Sequence, residues 1–253
     1  MRYAKRGRLR FTSHRDVART FERALRRAGV PMAYSQGFSP HPKVSWVGAA
    51  PTGVASEAEY VEVQVVETID PGALREALDA ALPPGLDVLE VVQAAGGNLT
   101  ERIEASSWRI ELSGVRPEEL QQAVAGLMAS ESVQVERMLK DGKRTIDVRS
   151  AVVSAEVLVA AETATGTAQV EPPSGDARHG EAASSEPCGI LVTVVRQTTP
   201  TVRPDDVLSA LRVVADLVPP VPAKATRMAQ GRLDDDGHLV DPFMQDRAPE
   251  AGE

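Results

Sequence analysis

The side chains best suited to binding or transforming another molecule lie in the first fifty residues. This segment contains eleven lysines and arginines but only two carboxylates, whereas the whole chain has a formal net charge of −8. It also contains six of the nine aromatic residues of the chain. A basic, aromatic-rich segment on an acidic chain predicts a surface for a polyanion or for an acidic partner.

Two histidines in this segment are candidates for acid–base chemistry. His14 lies at the predicted start of a helix, where the helix dipole disfavours a further positive charge, so one interpretation is a neutral ring that acts as a base or a metal ligand. His41 lies in the loop after this helix. Neither has a close set of further histidine, cysteine or carboxylate ligands in the sequence, so we expect structural histidines and no metal site.

An arginine-rich helix is predicted to begin after Ser13, a suitable N-cap with Asp16 three residues later. Its apolar side holds Val17, Phe21, Ala24, Leu25 and Ala28. Its opposite side holds Arg15, Arg19, Arg23, Arg26 and Arg27. Solvated faces usually mix both signs of charge. Here only Asp16 and Glu22 offset the arginines, so the pattern favours anion binding over simple solvation.

The loop QGFSPHPK after this helix is stiff, because its two prolines fix their own φ angles and restrict the residues before them. One interpretation is a structural corner that leads the chain into a strand at Val44. The other is a nucleic-acid contact, in which rings stack on bases and polar groups meet phosphates. The candidate nucleic-acid-binding residues are Arg10, His14, Arg15, Arg19, Arg23, Arg26, Arg27, Tyr34, Gln36, Phe38, His41 and Lys43.

The elements that must position these residues have the hydrophobic pattern of an α+β protein. The order β-α-β-β-α-β over residues 1–95 recurs in similar form over residues 105–230, which predicts two tandem ferredoxin-like halves. The first half has a strand or tight hairpin at 2–12, strands at 44–47, 60–66 and 85–92, and a helix at 71–82. The second has strands at 108–112, 133–139 and 190–196, one bent or two short strands at 145–148 and 151–159, and helices at 117–129 and 204–217. Residues 161–187 are predicted to be a disordered insert, and residues 234–253 an irregular tail.

Other features of the sequence restrict the chemistry. Cys188 is the only cysteine, so the chain forms no internal disulfide and cannot hold an iron–sulfur cluster by itself. The acidic cluster of Glu57, Glu59 and Glu62 is expected to be solvated or paired with arginines. The common nucleotide-binding, zinc-protease and hydrolase motifs are missing, as are a signal peptide and a long apolar stretch. We therefore expect no cofactor and a cytoplasmic protein.

The runs GRLRFTSHRD, FERALRRAGVPMAYSQGFSPHPKVSW and GVASEAEYVEV resemble the N-terminal part of the radical SAM-linked protein family, a bacterial domain of unknown function. The resemblance is specific over residues 5–66, weaker up to residue 150, and faint in KDGKRTIDVR and TRMAQGRL. The matching positions include Arg10, Ser13, His14, Asp16, Arg23, Arg26, Arg27, Tyr34, Gly37, Phe38, Pro40, His41, Pro42, Gly53, Glu57, Glu59 and Tyr60. Many members have leucine on both sides of the position of Asp16, where this chain has Arg15 and Val17.

The resemblance implies a partner rather than a reaction, because members are encoded beside or fused to a radical SAM protein with a cobalamin-binding-type region. A radical SAM core binds its cluster through three cysteines, which this chain lacks. The leading hypothesis is an accessory protein that binds RNA or presents a substrate to a radical SAM enzyme and has no chemistry of its own. One alternative is an RNA-modifying or RNA-cleaving enzyme with His14 or His41 as general acid or base. The other is a protein-interaction module that docks on an acidic partner surface.

Overall fold

In the computed structural model, which describes residues 1–139, 142–158 and 187–247, four α-helices and a large mixed sheet form an α+β fold. The helices are α1 (His14–Arg27), α2 (Pro71–Ala81), α3 (Pro117–Ala129) and α4 (Pro204–Ala215). The strands are β1 (Arg2–Lys5), β2 (Val44–Val47), β3 (Ala55–Val63), β4 (Val88–Glu90), β5 (Ala105–Ser113), β6 (Gln134–Leu139), β7 (Gly142–Asp147), β8 (Val152–Leu158), β9 (Cys188–Arg196), β10 (Lys224–Leu233) and β11 (Leu239–Val240). Short 3-10 helices cover Gly7–Phe11, Leu99–Arg102 and Arg149–Ala151.

The N-terminal unit (β1 to β4 with α1 and α2) and the C-terminal unit (β5 to β10 with α3 and α4) share one pattern of strand pairing. In the N-terminal unit the strand order is β4, β1, β3, β2, and each neighbouring pair is antiparallel. In the C-terminal unit the order is β10, β5, β9, β8, again with antiparallel neighbours. A parallel pairing of β3 with β10, at Ala55 and Ser56, joins the two units. The β6–β7 hairpin forms a separate two-stranded sheet.

Each unit has a hydrophobic core between its helices and its part of the sheet. In the N-terminal unit, Phe21 of α1 and Leu78 of α2 belong to one buried cluster with Val61 of β3. In the C-terminal unit, Leu120 of α3 is buried in a second cluster with Ile110 of β5. Full burial of a side chain of this size contributes about 1.5–3 kcal/mol. The N-terminal core therefore holds α1, which carries the arginines discussed below, against the sheet.

Several elements lie where the sequence predicts them. Helix α3 has the predicted bounds, and α2 ends one residue earlier than predicted. The start of α2 is capped by Asp70, whose carboxylate accepts a hydrogen bond from the backbone N–H of Ala73 at 2.7 Å. Strand β2 also has its predicted bounds. Local periodicity and capping residues were therefore sufficient for these elements.

Two predictions for the sheet were wrong, and one strand was missed. Residues 2–12 do not form one strand or hairpin, because Gly7 adopts a φ of +55° and the chain continues as a 3-10 helix. Strand β3 begins at Ala55 rather than at Tyr60, because its first residues pair with Lys5 and with β10. Strand β10 was not predicted, since KATRMAQGRL has few apolar residues and no regular alternation.

Much of the segment predicted to be an irregular tail contacts the folded units. Strand β11 pairs with β10, and the ring of Phe243 is buried edge-on against Tyr60 with centroids 5.2 Å apart. The predicted insert at 161–187 lies outside the described residues except for Pro187, and residues 248–253 also lie outside them. Of the helices in the described ranges, none combines the length and the apolar character that crossing a membrane requires.

Candidate nucleic-acid interface

Helix α1 is positioned by its cap and by its apolar side. The Ser13 hydroxyl oxygen accepts a hydrogen bond from the backbone N–H of Asp16 at 3.2 Å and donates its own proton to the Asp16 carboxylate at 2.7 Å. The buried residues of the helix are Val17, Phe21, Ala24 and Leu25. The predicted N-cap and the predicted apolar side are thus confirmed.

The opposite side of α1 forms the arginine face, defined as Arg15, Arg19, Arg23, Arg26 and Arg27, all of them exposed. Arg23 donates to the hydroxyl of Thr20 at 3.0 Å, and Arg27 donates to the backbone carbonyl of Ala81 at 3.1 Å. Among the described residues, only Arg19 of this set has a carboxylate within 4.0 Å, that of Asp16 at 3.7 Å. The positive charge of this face is therefore largely unpaired within the described structure, and it is accessible to solvent or to a bound anion.

Residues 33–43 form a short hairpin-like segment, here called the aromatic loop. Its stem is closed by backbone hydrogen bonds from Ser35 N–H to the carbonyl of His41 and from Lys43 N–H to the carbonyl of Ala33, both 2.8 Å. Backbone bonds between the stem and Gln64 attach it to the chain after β3. The interpretation as a structural corner therefore describes the stem, which leads directly into β2.

The tip of the aromatic loop is exposed from Gln36 to Pro40. Gly37 has a φ of +140°, which favours glycine at this position. The side chain of Phe38 is fully exposed at the tip, and Tyr34 on the stem is half exposed. Folding gains nothing from the Phe38 ring, because stabilisation scales with the apolar area removed from water. The loop presents an aromatic ring that remains available for contact with another molecule.

A groove of about 220 Å³ lies between α1 and the aromatic loop. Arg26 and Glu22 line it from the helix, and Tyr34 lines it from the loop stem together with the two prolines Pro40 and Pro42. The structure thus brings a member of the arginine face beside an aromatic ring of the loop. Such a pair can contact a phosphate and a base of the same strand.

The remaining predicted site residues have different surroundings. His14 is exposed, and its ring packs edge-on against Trp46, with centroids 5.4 Å apart. Trp46 is in turn part of an aromatic cluster with Tyr3 and Phe21. Arg10 is not on α1 but in the preceding 3-10 helix, with its guanidinium over the Phe11 ring at 4.7 Å.

Gln36, His41 and Lys43 are exposed along the aromatic loop. In the part of the chain that the structure describes, the one group of three potential metal-ligating side chains within 4.8 Å of one another is Asp234, Asp236 and His238. It includes neither His14 nor His41.

Sequence reasoning missed a buried ionic group at the junction of the two units, here called the junction cluster and defined as Lys5, Glu59 and Arg227. Glu59 was expected to be solvated or paired, and it is 2% exposed, with a carboxylate oxygen 3.5 Å from the Arg227 guanidinium. The other oxygen accepts from the backbone N–H of Ala50 at 2.9 Å. Lys5 donates to the carbonyl of the same Ala50 at 3.2 Å. The cluster thereby fixes the loop between β2 and β3.

The ionisation of the junction cluster reflects its burial. Removal from water lowers the pKa of Arg227 and that of Lys5, and the neighbouring Glu59 carboxylate opposes both shifts. By contrast, Glu57 is on the surface, where it pairs with Arg6 through a 2.7 Å hydrogen bond from the arginine Nε. Glu57 thus pairs with an arginine of the basic segment, as expected, whereas Glu59 is buried and pairs with Arg227 of the C-terminal unit, which was not expected.

Comparison with known protein families gives a match. The model of a family described as an uncharacterized protein conserved in bacteria (DUF2344) matches residues 1–204. The search of curated proteins found no match. The matched range includes the arginine face, the aromatic loop and most of the C-terminal unit, and ends at the first residue of α4.

Proposed function

This chain belongs to the family of uncharacterized proteins conserved in bacteria, and we propose that it is an accessory protein that binds RNA and presents it to a radical SAM enzyme. The main observation in support is the exposed Phe38 ring on a loop beside a helix with five exposed arginines. In this proposal the chain has no chemistry of its own. The partner is inferred from the resemblance of residues 5–66 to the radical SAM-linked family.

The arginine face supplies the contact with the RNA backbone. Its charges lie on a single helix, and within the described ranges they have one nearby carboxylate, at Asp16. Binding of arginines to phosphates releases counterions from the nucleic acid, which gives affinity without sequence preference. A helix held by a buried apolar side keeps these charges at fixed spacing.

The aromatic loop supplies contacts with unpaired bases. A ring stacked on a base contributes about 1–3 kcal/mol and tolerates any base, because every base has a π-face. Phe38 at the tip and Tyr34 at the groove are the exposed rings of this loop. Single-stranded RNA is therefore the form of nucleic acid that fits best, since its bases are not already stacked in a duplex.

The proposed scaffold is two tandem ferredoxin-like halves, residues 1–95 and 105–230. The support is the strand order β4, β1, β3, β2 in one unit and its counterpart β10, β5, β9, β8 in the other. Both orders result when two βαβ elements interleave in one antiparallel sheet. In this scaffold the N-terminal half binds RNA, and the C-terminal half is left for other contacts.

The test is binding of a fluorescein-labelled, mixed-sequence single-stranded RNA to the full chain, followed by ultraviolet crosslinking and identification of the modified residues. We expect crosslinks at Tyr34 or Phe38, and weaker binding of a duplex of the same length. Crosslinks confined to the C-terminal unit would refute binding at the aromatic loop, and no binding at moderate salt would refute RNA binding altogether. Capture from native cells, with both bound RNA and bound protein identified, tests the radical SAM partner separately.

A further inference from the structure

A polar cavity of about 290 Å³ lies at the junction of the two units, away from the arginine face and the aromatic loop. The loop after β2 lines one side of it through Gly48, Ala49 and Pro51. The C-terminal unit lines the rest, with side chains from β5, β10, the end of β9 and residues 201–204 before α4. Its volume is near the lower limit of small-molecule sites, which span roughly 300–1,000 Å³.

Arg227 is the buried charge of this cavity. It is 3% exposed, and its guanidinium lies over the Trp108 ring at 5.0 Å. One terminal nitrogen donates to the carbonyl of Gly48, but Nε has no hydrogen-bond partner among the described residues. The junction cluster contains two cations, Arg227 and Lys5, against the single carboxylate of Glu59. The junction cluster behind the cavity therefore has an excess of positive charge, and among the described residues it leaves one donor, Arg227 Nε, and one acceptor, Glu59 Oε1, without a hydrogen-bond partner.

Two further arginines lie at the exposed side of the cavity. Arg196 ends β9, and Arg203 immediately precedes α4. Neither guanidinium has a carboxylate within 4.0 Å in the described part of the chain, where the cavity lining also includes no aspartate or glutamate. Gln230, which is 2% exposed, adds a buried amide to the lining. Positive charge is thus concentrated in a concave site where, among the described residues, Arg227 alone of the three arginines has a carboxylate within 4.0 Å, that of Glu59.

We infer that this cavity binds a small anion that bears a phosphoryl group. Guanidinium groups match phosphate oxygens in geometry, and a phosphoryl group carries enough charge to pair with more than one arginine. The exposed Arg196 and Arg203 contact the anion directly, while Arg227 and Gln230 form the buried end of the site. The ligand bridges the N-terminal loop at 48–51 and the C-terminal unit, so binding also stabilises the junction between them.

Trp108 allows the proposal to be tested with inorganic pyrophosphate as the probe. The chain has two tryptophans, so the Trp46→Phe variant leaves Trp108 in the cavity as the only emitting tryptophan. We expect pyrophosphate to change the Trp108 emission saturably, in EDTA and at constant ionic strength, and to raise the melting temperature of the unmodified chain. A dissociation constant above about 1 mM, or no saturation, overturns the inference.

Variants at exposed lining positions identify the site without disturbing the fold. Arg203→Gln should raise the dissociation constant at least about fivefold, whereas Arg212→Gln, on the last turn of the same helix, should leave it within about twofold. Ala49→Glu should weaken binding about tenfold relative to the matched Ala49→Gln, because the two differ in charge and hardly in size. Equal affinities for each matched pair would show that pyrophosphate binds elsewhere, which also overturns the inference.

Discussion

The arginine face and the junction cluster use the same kind of side chain under opposite conditions. On α1 the arginine face is exposed, and Arg23 and Arg26 donate to hydroxyl and carbonyl oxygens of their own helix. At the junction, Arg227 is almost completely buried and contacts Glu59, Trp108 and a backbone carbonyl. The first group is free to bind a partner at little cost to folding, whereas the second is part of what holds the two units together.

The difference follows from the cost of desolvation. An exposed ion pair contributes about 0–1 kcal/mol, because water and salt screen it. A buried ion pair gains little over an apolar pair of the same shape, but removing one partner leaves an uncompensated charge that costs about 3–5 kcal/mol. Substitutions on the arginine face should therefore change binding, and substitutions in the junction cluster should change stability.

The largest expected effect comes from Glu59→Gln. This change leaves Arg227 and Lys5 buried without a counter-charge, and we expect the free energy of unfolding to fall by about 3–5 kcal/mol. Urea denaturation followed by circular dichroism measures it. A loss below about 1 kcal/mol would show that the junction cluster is as weak as a surface pair and would remove the contrast between the two regions.

A double variant sharpens the same comparison. If Arg227 and Glu59 stabilise each other, Arg227→Met combined with Glu59→Leu should cost less than the sum of the two single changes, with a coupling of about 0.5–3 kcal/mol. Full additivity in urea denaturation would mean that the two side chains act independently.

The sequence was most informative where structure depends on local periodicity. The start of α1, its Ser13 cap and the separation of Phe21 from the arginines follow from a 3.6-residue repeat and one capping residue. The pairing of Arg227 with Glu59 could not be predicted, because the two residues are far apart in the chain and their contact depends on β3 meeting β10. The one sequence signal at that position was the faint family resemblance of TRMAQGRL, which carries no chemistry by itself.

The aromatic loop could be predicted in part, less completely than α1 but better than the pairing of Arg227 with Glu59. Its prolines and Gly37 predicted a stiff turn, but not that a closed stem and an exposed tip would separate the structural role from the proposed binding role. That separation depends on the bonds from Ala33 to Gln64 and from Gln64 to Lys43. Sequence periodicity cannot indicate such bonds, because the loop has no regular repeat.

Phe38→Ala should have the largest effect on RNA binding of any single change. We expect a loss of about 1–3 kcal/mol of binding free energy if a base stacks on the ring, with an unchanged salt dependence. Phe38→Trp should retain binding, and Phe38→Leu should not, since leucine keeps the apolar character but has no π-face. Fluorescence anisotropy with the labelled RNA measures all three, and equal affinity of the alanine and tryptophan variants would contradict stacking.

Arg19→Gln, Arg23→Gln and Arg27→Gln in one variant should weaken RNA binding similarly for all sequences. The slope of log affinity against log salt concentration should fall by about 0.7 for each phosphate of a single strand that the variant no longer neutralises. Glutamine has nearly the helix propensity of arginine, so α1 should persist. The matched control replaces Arg116, Arg144 and Arg212, exposed arginines of the C-terminal unit, and its slope should equal that of the unmodified chain. The variant of Arg19, Arg23 and Arg27 should still bind pyrophosphate.

Glu57→Gln should have the smallest effect. Glu57 lies two residues before Glu59 on β3 and pairs with Arg6, but its side chain and that of Arg6 are partly exposed, and Arg6 also contacts Asp87 at 2.8 Å. Because Arg6 keeps this second carboxylate and access to water, we expect a loss of less than about 1 kcal/mol that diminishes with added salt. Urea denaturation at low and high salt, beside Glu59→Gln, is the measurement. A salt-independent loss as large as that of Glu59→Gln would mean that position along β3, rather than burial of charge, determines the effect.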